Sequence, residues 1–401
     1  MGKRPRAEGG GGAGPLACVL LVGSQSMAFR MTEFFSGAYG GCNLDLGRLF
    51  PPRFRGTRVA ELGPRTSNLG PRMVSLRGME GSPEEFAAFM QSHPLLPYYV
   101  HRVFWVDLEA PAVPRAGLAA AIAERWREGG WGGGARLQLH PKREEGAFAE
   151  ELNALREGPE CAVRGYEAAV SALPLSGDGE ELLEGGPYRL GIHTAASLYL
   201  HPAGAAKLSS GPSKAQSKID EALLLLGELP GGNGAAVDLG AAPGAWTASL
   251  ARRFEHVFAV DPAPMDPQVL ALENVTHVRM KAEDAVGEVR AQLPPSPGGG
   301  GRGGGGGGGG GEEEGGWGAS LLVCDMNLGL HEVGAAVQGA LPLLRSGARV
   351  VVTLKLRGRG RDTVERAAIL GSAIGKGVRM LETVWMLGNT NHERCFLGVK
   401  V

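Results

Sequence analysis

The stretch Val237-Asp238-Leu239-Gly240-Ala241-Ala242-Pro243-Gly244-Ala245-Trp246-Thr247 decides the fold. An apolar run ends in an acid, a turn of small residues follows, and a helical pattern opens at once. Small residues let the backbone approach a ligand closely, and the first amides of a helix have no partner inside it, so such a turn receives an anionic group. A dinucleotide fingerprint needs GxGxxG, whereas this turn reads GAAPGA, with proline where backbone must approach a pyrophosphate. NAD is thereby excluded. The methionine carboxylate of S-adenosylmethionine fits the turn. Gly240, Ala241, Pro243, Gly244 and Trp246 would surround it, and Asp238 would order the turn and attract the ammonium group or its waters.

Outward from this turn, strand-like runs alternate with helical patterns: 235–239, 244–254, 257–260, 267–272 and 275–280, then 320–324, 333–344, 348–354, 364–374, 378–387 and 395–401. Such βα alternation predicts a mainly parallel sheet with right-handed crossovers and helices on both faces. The last two strands follow each other without a helix, so the terminal strand inserts antiparallel. This is the Rossmann-like α/β sheet of class I methyltransferases. Ligands in open α/β sheets bind beyond the carboxyl ends of the strands, which puts four further acids and cations of this half at the crevice beside Asp238. Asp261, after the second strand, is placed for the cofactor's ribose hydroxyls, and Asp284, after the third, for the adenine amino group. Asp325 follows the run 321–324, and Lys355 follows 350–354. Upstream, Ser213 caps a predicted helix to about residue 226. In it Lys218 borders the apolar stripe of Ile219, Ala222, Leu223 and Leu226.

Together these residues resemble the FtsJ-like ribose 2′-O-methyltransferases, closest to the branch that modifies a cytidine of bacterial large-subunit ribosomal RNA. The resemblance runs from about residue 212 to 401 through SKIDEALLLL, VDLGAAPGAWTASLARR, AVDPAPM, VCDM, TLKL and NHERCFLGV. It implies a catalytic Lys-Asp-Lys-Glu tetrad on Lys218, Asp325, Lys355 and Glu393, with Asp325 also near the cofactor, and ribosomal RNA as partner. Ala245 stands where the family usually has a second glycine, and Arg394 where the cytidine branch has another acid. The tetrad's second lysine serves in that family as general base or as the group that orients the 2′-hydroxyl. The first role requires burial and a second cation, Lys218, to lower the pKa of Lys355. A protein or small-molecule acceptor would instead suit an Asn/Asp-Pro-Pro-aromatic motif after the fourth strand, and here Met326-Asn327-Leu328 follows Asp325. A noncatalytic RNA-binding or assembly factor is the remaining alternative, opposed by the presence of both lysines. Arg357, Arg359 and Arg361 sit just past Lys355, either on RNA phosphates or in a solvated loop.

The rest of the chain is less specific. With 401 residues, 41 basic and 42 acidic side chains, and 43% apolar residues, there is room for two domains and no overall field to attract nucleic acid. The expected organisation is a disordered tail at 1–15, an α+β accessory domain at 16–205 and the methyltransferase domain at 206–401. The last carries a disordered glycine-rich insert at 294–316. Lys3, Arg4 and Arg6 also leave open part of a transit peptide. In the accessory domain, 98–108 and 135–140 read as strands, 117–127 and 147–156 as helices, and 188–201 as a hairpin or paired strands. Resemblance to the family's THUMP-bearing branch implies RNA binding there. Arg53, Arg55, Arg58, Arg65, Arg72 and Arg77 recur through a loop-like region that either tracks a phosphate backbone or is simply solvated. Cys18, Cys42, Cys161, Cys324 and Cys395 lack metal-ligand spacing, so reduced thiols and no metal are expected. The longest apolar runs, 17–22 and 350–354, are far short of the ~20 residues of a membrane helix. A soluble protein of the cytoplasm or an organelle is expected.

Overall fold

The computed structural model describes residues 16–22, 25–36, 51–54, 58–62, 72–176, 181–183, 185–199, 214–229, 232–293, 318–356, 374, 377–390 and 392–401. Backbone contacts divide the chain into two compact units, Met1–Gly37 with Phe50–Ala203, and Ala38–Leu49 with Gly204–Val401.

The first unit contains β1 (Leu16–Val22), α1 (Gln25–Ser36), β2 (Arg58–Leu62), β3 (Arg72–Arg77), α2 (Pro83–Ser92), α3 (Leu96–Tyr99), β4 (Val100–Asp107) and α4 (Leu118–Glu128). β5 (Gly134–Leu139), α5 (Glu145–Asn153), β6 (Tyr166–Pro174) and β7 (Tyr188–Thr194) follow. One antiparallel sheet has the order β2-β3-β1-β4; a mixed sheet has the order β5-β6-β7, with β5 parallel and β7 antiparallel to β6. Two expectations are corrected here. The arginine-rich region is not a loop throughout: Arg58 opens β2, Arg72 and Arg77 bound β3, and Arg58 faces Arg77 across the pair. Both strands are short, and ladder pairing of β2 with β3 and of β3 with β1 stabilises what local propensity does not. Arg55 and Arg65 lie outside the described residues. Of the two readings of 188–201, the hairpin fails within the described residues 188–199, because β7 is a strand paired with β6 and is followed by a 3-10 turn at Ala195–Ser197.

The second unit starts with α6 (Lys214–Leu226). It continues with β8 (Ala235–Leu239), α7 (Ala245–Ala251), β9 (His256–Val260), α8 (Pro267–Leu270), β10 (Val275–Val278), α9 (Ala282–Gln292), β11 (Ala319–Cys324) and α10 (Leu330–Ala340). β12 (Leu344–Lys355), β13 (Val378–Val384) and β14 (Glu393–Lys400) complete it. The seven strands take the order β10-β9-β8-β11-β12-β14-β13. All neighbours are parallel except β14, which runs antiparallel to both β12 and β13, as expected. Every residue of β8 and β11 is buried, which is why they read as mostly apolar runs: a parallel strand is covered on both faces. One core, including Val237, Phe258, Leu322, Val350 and Phe396, packs with Val289 of α9 and Val337 of α10. Strand order reverses between β8 and β11, so the crevice opens at their carboxyl ends. The glycine-rich insert 294–316, Ser213 and Arg357, Arg359 and Arg361 lie outside the described residues, as does the predicted helix 364–374 apart from buried Ile374.

Candidate active site

The turn after β8 is built by tertiary contacts. Gly240 has φ of +77°, a region that disfavours any side chain, and a Cβ there would run into the Met326 side chain and come within 3.2 Å of its Cα. The two strand-end loops can meet only at glycine. Gly244 caps α7 with φ of +118°, and a Cβ on it would strike Val269 and Met265, so its smallness serves packing against α8. Pro243 is exposed, and Ala241 is buried beside Met265 and Val269.

Beneath the turn, Asp238 is buried and accepts a hydrogen bond from Thr247 Oγ1 at 2.7 Å. Burial pushes its carboxyl up to about 7, against the lowering effect of that bond and with added repulsion from Asp325 and Asp261. Thr247 was not singled out by sequence, although a hydroxyl in the first turn of the helix after a buried acid is a readable signal. Trp246 does not reach into the crevice; its ring is buried and its indole nitrogen donates to Ala215 O at 2.7 Å, fixing α6 to α7.

A cavity of about 270 Å³ opens beside the turn, and Gly240, Asp261, Ala282, Asp325 and Met326 are among its walls. Asp261 accepts from Ala242 N–H at 3.1 Å and Ala263 N–H at 2.8 Å. Asp284 is turned to solvent in the first turn of α9, and Ala282 represents that strand end in the wall.

Four residues distant in sequence converge at the cavity's edge. Lys355 donates to Asp325 Oδ1 and to Glu393 Oε1, both at 2.7 Å. Lys218 donates to Glu393 Oε2 at 2.9 Å and lies 3.9 Å from Asp325 Oδ2. Thr390 N–H gives Glu393 Oε2 a further bond at 2.9 Å. Burial alone would raise the Glu393 carboxyl, but the bonds from Lys355, Thr390 and Lys218 outweigh it and bring it down to about 2. Arg394 turns away and stacks over Trp385, 4.3 Å from the ring centre. The lowering of the Lys355 pKa that a general-base role requires is reversed. Burial does pull it down, yet the charges and hydrogen bonds of Asp325 and Glu393 pull harder, and Lys355 sits above its ordinary value. Its nearest charges are carboxylates, with Glu393 shared between the two lysines, so in this arrangement Lys355 is a proton-holding donor rather than a ready base. Among the described residues no group of three or more His, Cys, Asp or Glu could hold a metal ion, and no helix is long and apolar enough to cross a membrane.

Comparison with known proteins gives a family and relatives. Residues 212–359 match the model of the FtsJ-like methyltransferase family. A protein of Marinobacter nauticus named ribosomal RNA large subunit methyltransferase M is 30% identical over 222 residues, which cover 50% of this chain and 60% of that one. A protein of the same name from Methylococcus capsulatus is 35% identical over 127 residues, 26% of this chain and 36% of its own. The chain thus matches less than two thirds of the length of either relative. Among solved structures, TrmN from Thermus thermophilus aligns over 97% of this chain and 100% of its own, at 14% identity and a TM-score of 0.44. The stretch that matches the FtsJ-like methyltransferase family model, 212–359, holds Lys218, the Gly240 turn, Asp325 and Lys355.

Proposed function

We propose that the chain transfers the methyl group of S-adenosylmethionine to a ribose 2′-hydroxyl of ribosomal RNA. The observation that carries this proposal is the single carboxylate of Glu393 joining Lys218 to Lys355, with Asp325 closing the cluster beside the cavity. The names of the Marinobacter and Methylococcus relatives support ribosomal RNA as the acceptor.

The wall chemistry suits this donor. Asp261 and Asp325 place carboxylates toward a ligand that carries an ammonium and a sulfonium, and Asp261 keeps acceptor capacity beyond its two amide bonds for ribose hydroxyls. Gly240 and Met326 line the cavity, while Asp238, Gly244 and Trp246 hold the turn that shapes it. When bound, S-adenosylmethionine supplies an electrophilic methyl group. Transfer makes the bond from O2′ to the methyl carbon and breaks the bond from that carbon to sulfur. Lys355, kept protonated, donates to O2′ and aims an oxygen lone pair at the methyl, which is orientation and near-attack alignment rather than base catalysis. The hydroxyl proton passes to Asp325 and from it to water. Lys218 and Glu393 hold Lys355 in place.

Labelled methyl transfer to total RNA, followed by alkaline hydrolysis, tests this. A 2′-O-methyl blocks cleavage of the next phosphodiester, so label should sit in alkali-stable dinucleotides. Label in mononucleotides would move the acceptor to a base, and label in protein that survives nuclease would move it off RNA.

A further inference from the structure

Glu221 has no part in the site as built so far, yet it is a carboxylate with no solvent exposure at all. Such burial is costly unless the charge is held by specific partners. It stands three positions after Lys218, so both lie on one face of α6. Glu221 Oε1 accepts the Leu387 N–H at 3.0 Å, in the loop between β13 and β14. Beyond that anchor the loop folds on itself. Asn389 N–H donates to Met386 O at 3.1 Å, and the Trp385 indole donates to Thr390 O at 3.0 Å. Thr390 N–H then reaches Glu393 Oε2, the oxygen that also takes Lys218. α6 therefore meets the tetrad glutamate twice, directly through Lys218 and through the loop that Glu221 anchors.

We propose that Glu221 is a positioning residue for Glu393. It fixes the loop whose Thr390 amide aims the carboxylate that bridges the two lysines. This rests on the methyl-transfer proposal above, but its test does not depend on that proposal alone. In the full-length protein, Glu221→Ala should lower the single-turnover rate about 10- to 100-fold with donor affinity unchanged, as a misplacement of the reacting geometry does. Glu221→Gln should restore most of the rate, because its amide oxygen can still accept the Leu387 N–H. A second readout needs no turnover: acylation of Lys355 by acetic anhydride at about pH 8, followed by mass spectrometry. With Glu393 loosened, the alanine variant should acylate Lys355 about twofold faster or more, which corresponds to a fall of roughly 0.3 in its pKa. An alanine variant that matches wild type in Lys355 acylation overturns the proposal. So does one whose rate and donor affinity fall together without rescue by Gln, which is the mark of general structural damage. If wild type methylates no RNA, the proposed function falls, and the acylation result still decides the role of Glu221.

Discussion

Lys355 and Glu393 stand opposite each other in the antiparallel ladder of β12 and β14, and their side chains meet at 2.7 Å. Opposed residues of a ladder share one face of the sheet, so the insertion of the last strand is what brings the glutamate to the lysine. Lys218, from α6, takes the other oxygen of the same carboxylate.

Glu393→Gln should therefore destabilise the protein by about 1 to 3 kcal/mol at neutral pH, because buried Lys218 loses its charged acceptor. The pH dependence has a definite sign. The folded carboxyl titrates at about 2, below the ordinary 4.5, so its stabilisation is complete above the ordinary value and is lost as pH falls toward about 2. Denaturant unfolding of both proteins should show the gap closing across that window. A gap that stays constant down to pH ~2 contradicts the assignment.

Asp238 should behave in the opposite sense. Its folded carboxyl is raised from 3.8 to about 7, so in this window the folded state keeps a proton that the unfolded state gives up. Stability falls as pH rises through it, and the penalty is complete above about 7. Asp238→Asn should gain about 1 to 3 kcal/mol at pH ~8 and nothing below pH ~4. Equal stability of the two proteins at pH ~8 would place the acid in a more polar setting than its burial implies.

Gly240→Ala should lose about 1 to 2 kcal/mol from the left-handed backbone alone, and more from collision with Met326. Adding Met326→Ala should recover only the side-chain part, because the Met326 Cα remains 3.2 Å from the new methyl. Calorimetric titration with S-adenosylmethionine should show weaker binding in the single variant. Unchanged stability and binding would mean that the two strand-end loops are farther apart.

The parallel half of this fold was legible because burial writes β8, β11 and the end of β12 as mostly apolar runs. Asp325 just after β11 and Lys355 at the end of β12 stood out against them. β6 did not, because Tyr166–Pro174 is rich in alanine and is held as a strand by its neighbours β5 and β7. Thr390 acts through a backbone amide and Glu221 through a loop 166 residues away, and neither leaves a local pattern. The acid Asp284 had the right spacing after its strand, but the first turn of α9 carries it outward.

The raised pKa of Lys355 makes a kinetic prediction. If Lys355 orients the hydroxyl as a cation, the single-turnover rate at saturating donor and RNA should be flat between pH ~8 and ~9.5. If it had to lose its proton first, the rate would climb about tenfold per pH unit there, because the folded pKa lies above the ordinary 10.5. Saturating donor removes any contribution that Asp238 makes to binding near pH 7.

The account stands most directly on the single-turnover rate of RNA methylation by Lys355→Ala, read beside its donor affinity. Lys355 touches Asp325 and Glu393, while the turn at Gly240 and the Asp261 wall are built without it. Donor binding should stay at the wild-type value, and the rate at saturating RNA should drop about 10²-fold or more, the scale of lost near-attack positioning. A near-wild-type rate with saturating RNA would contradict the account and take Lys355 out of the reaction.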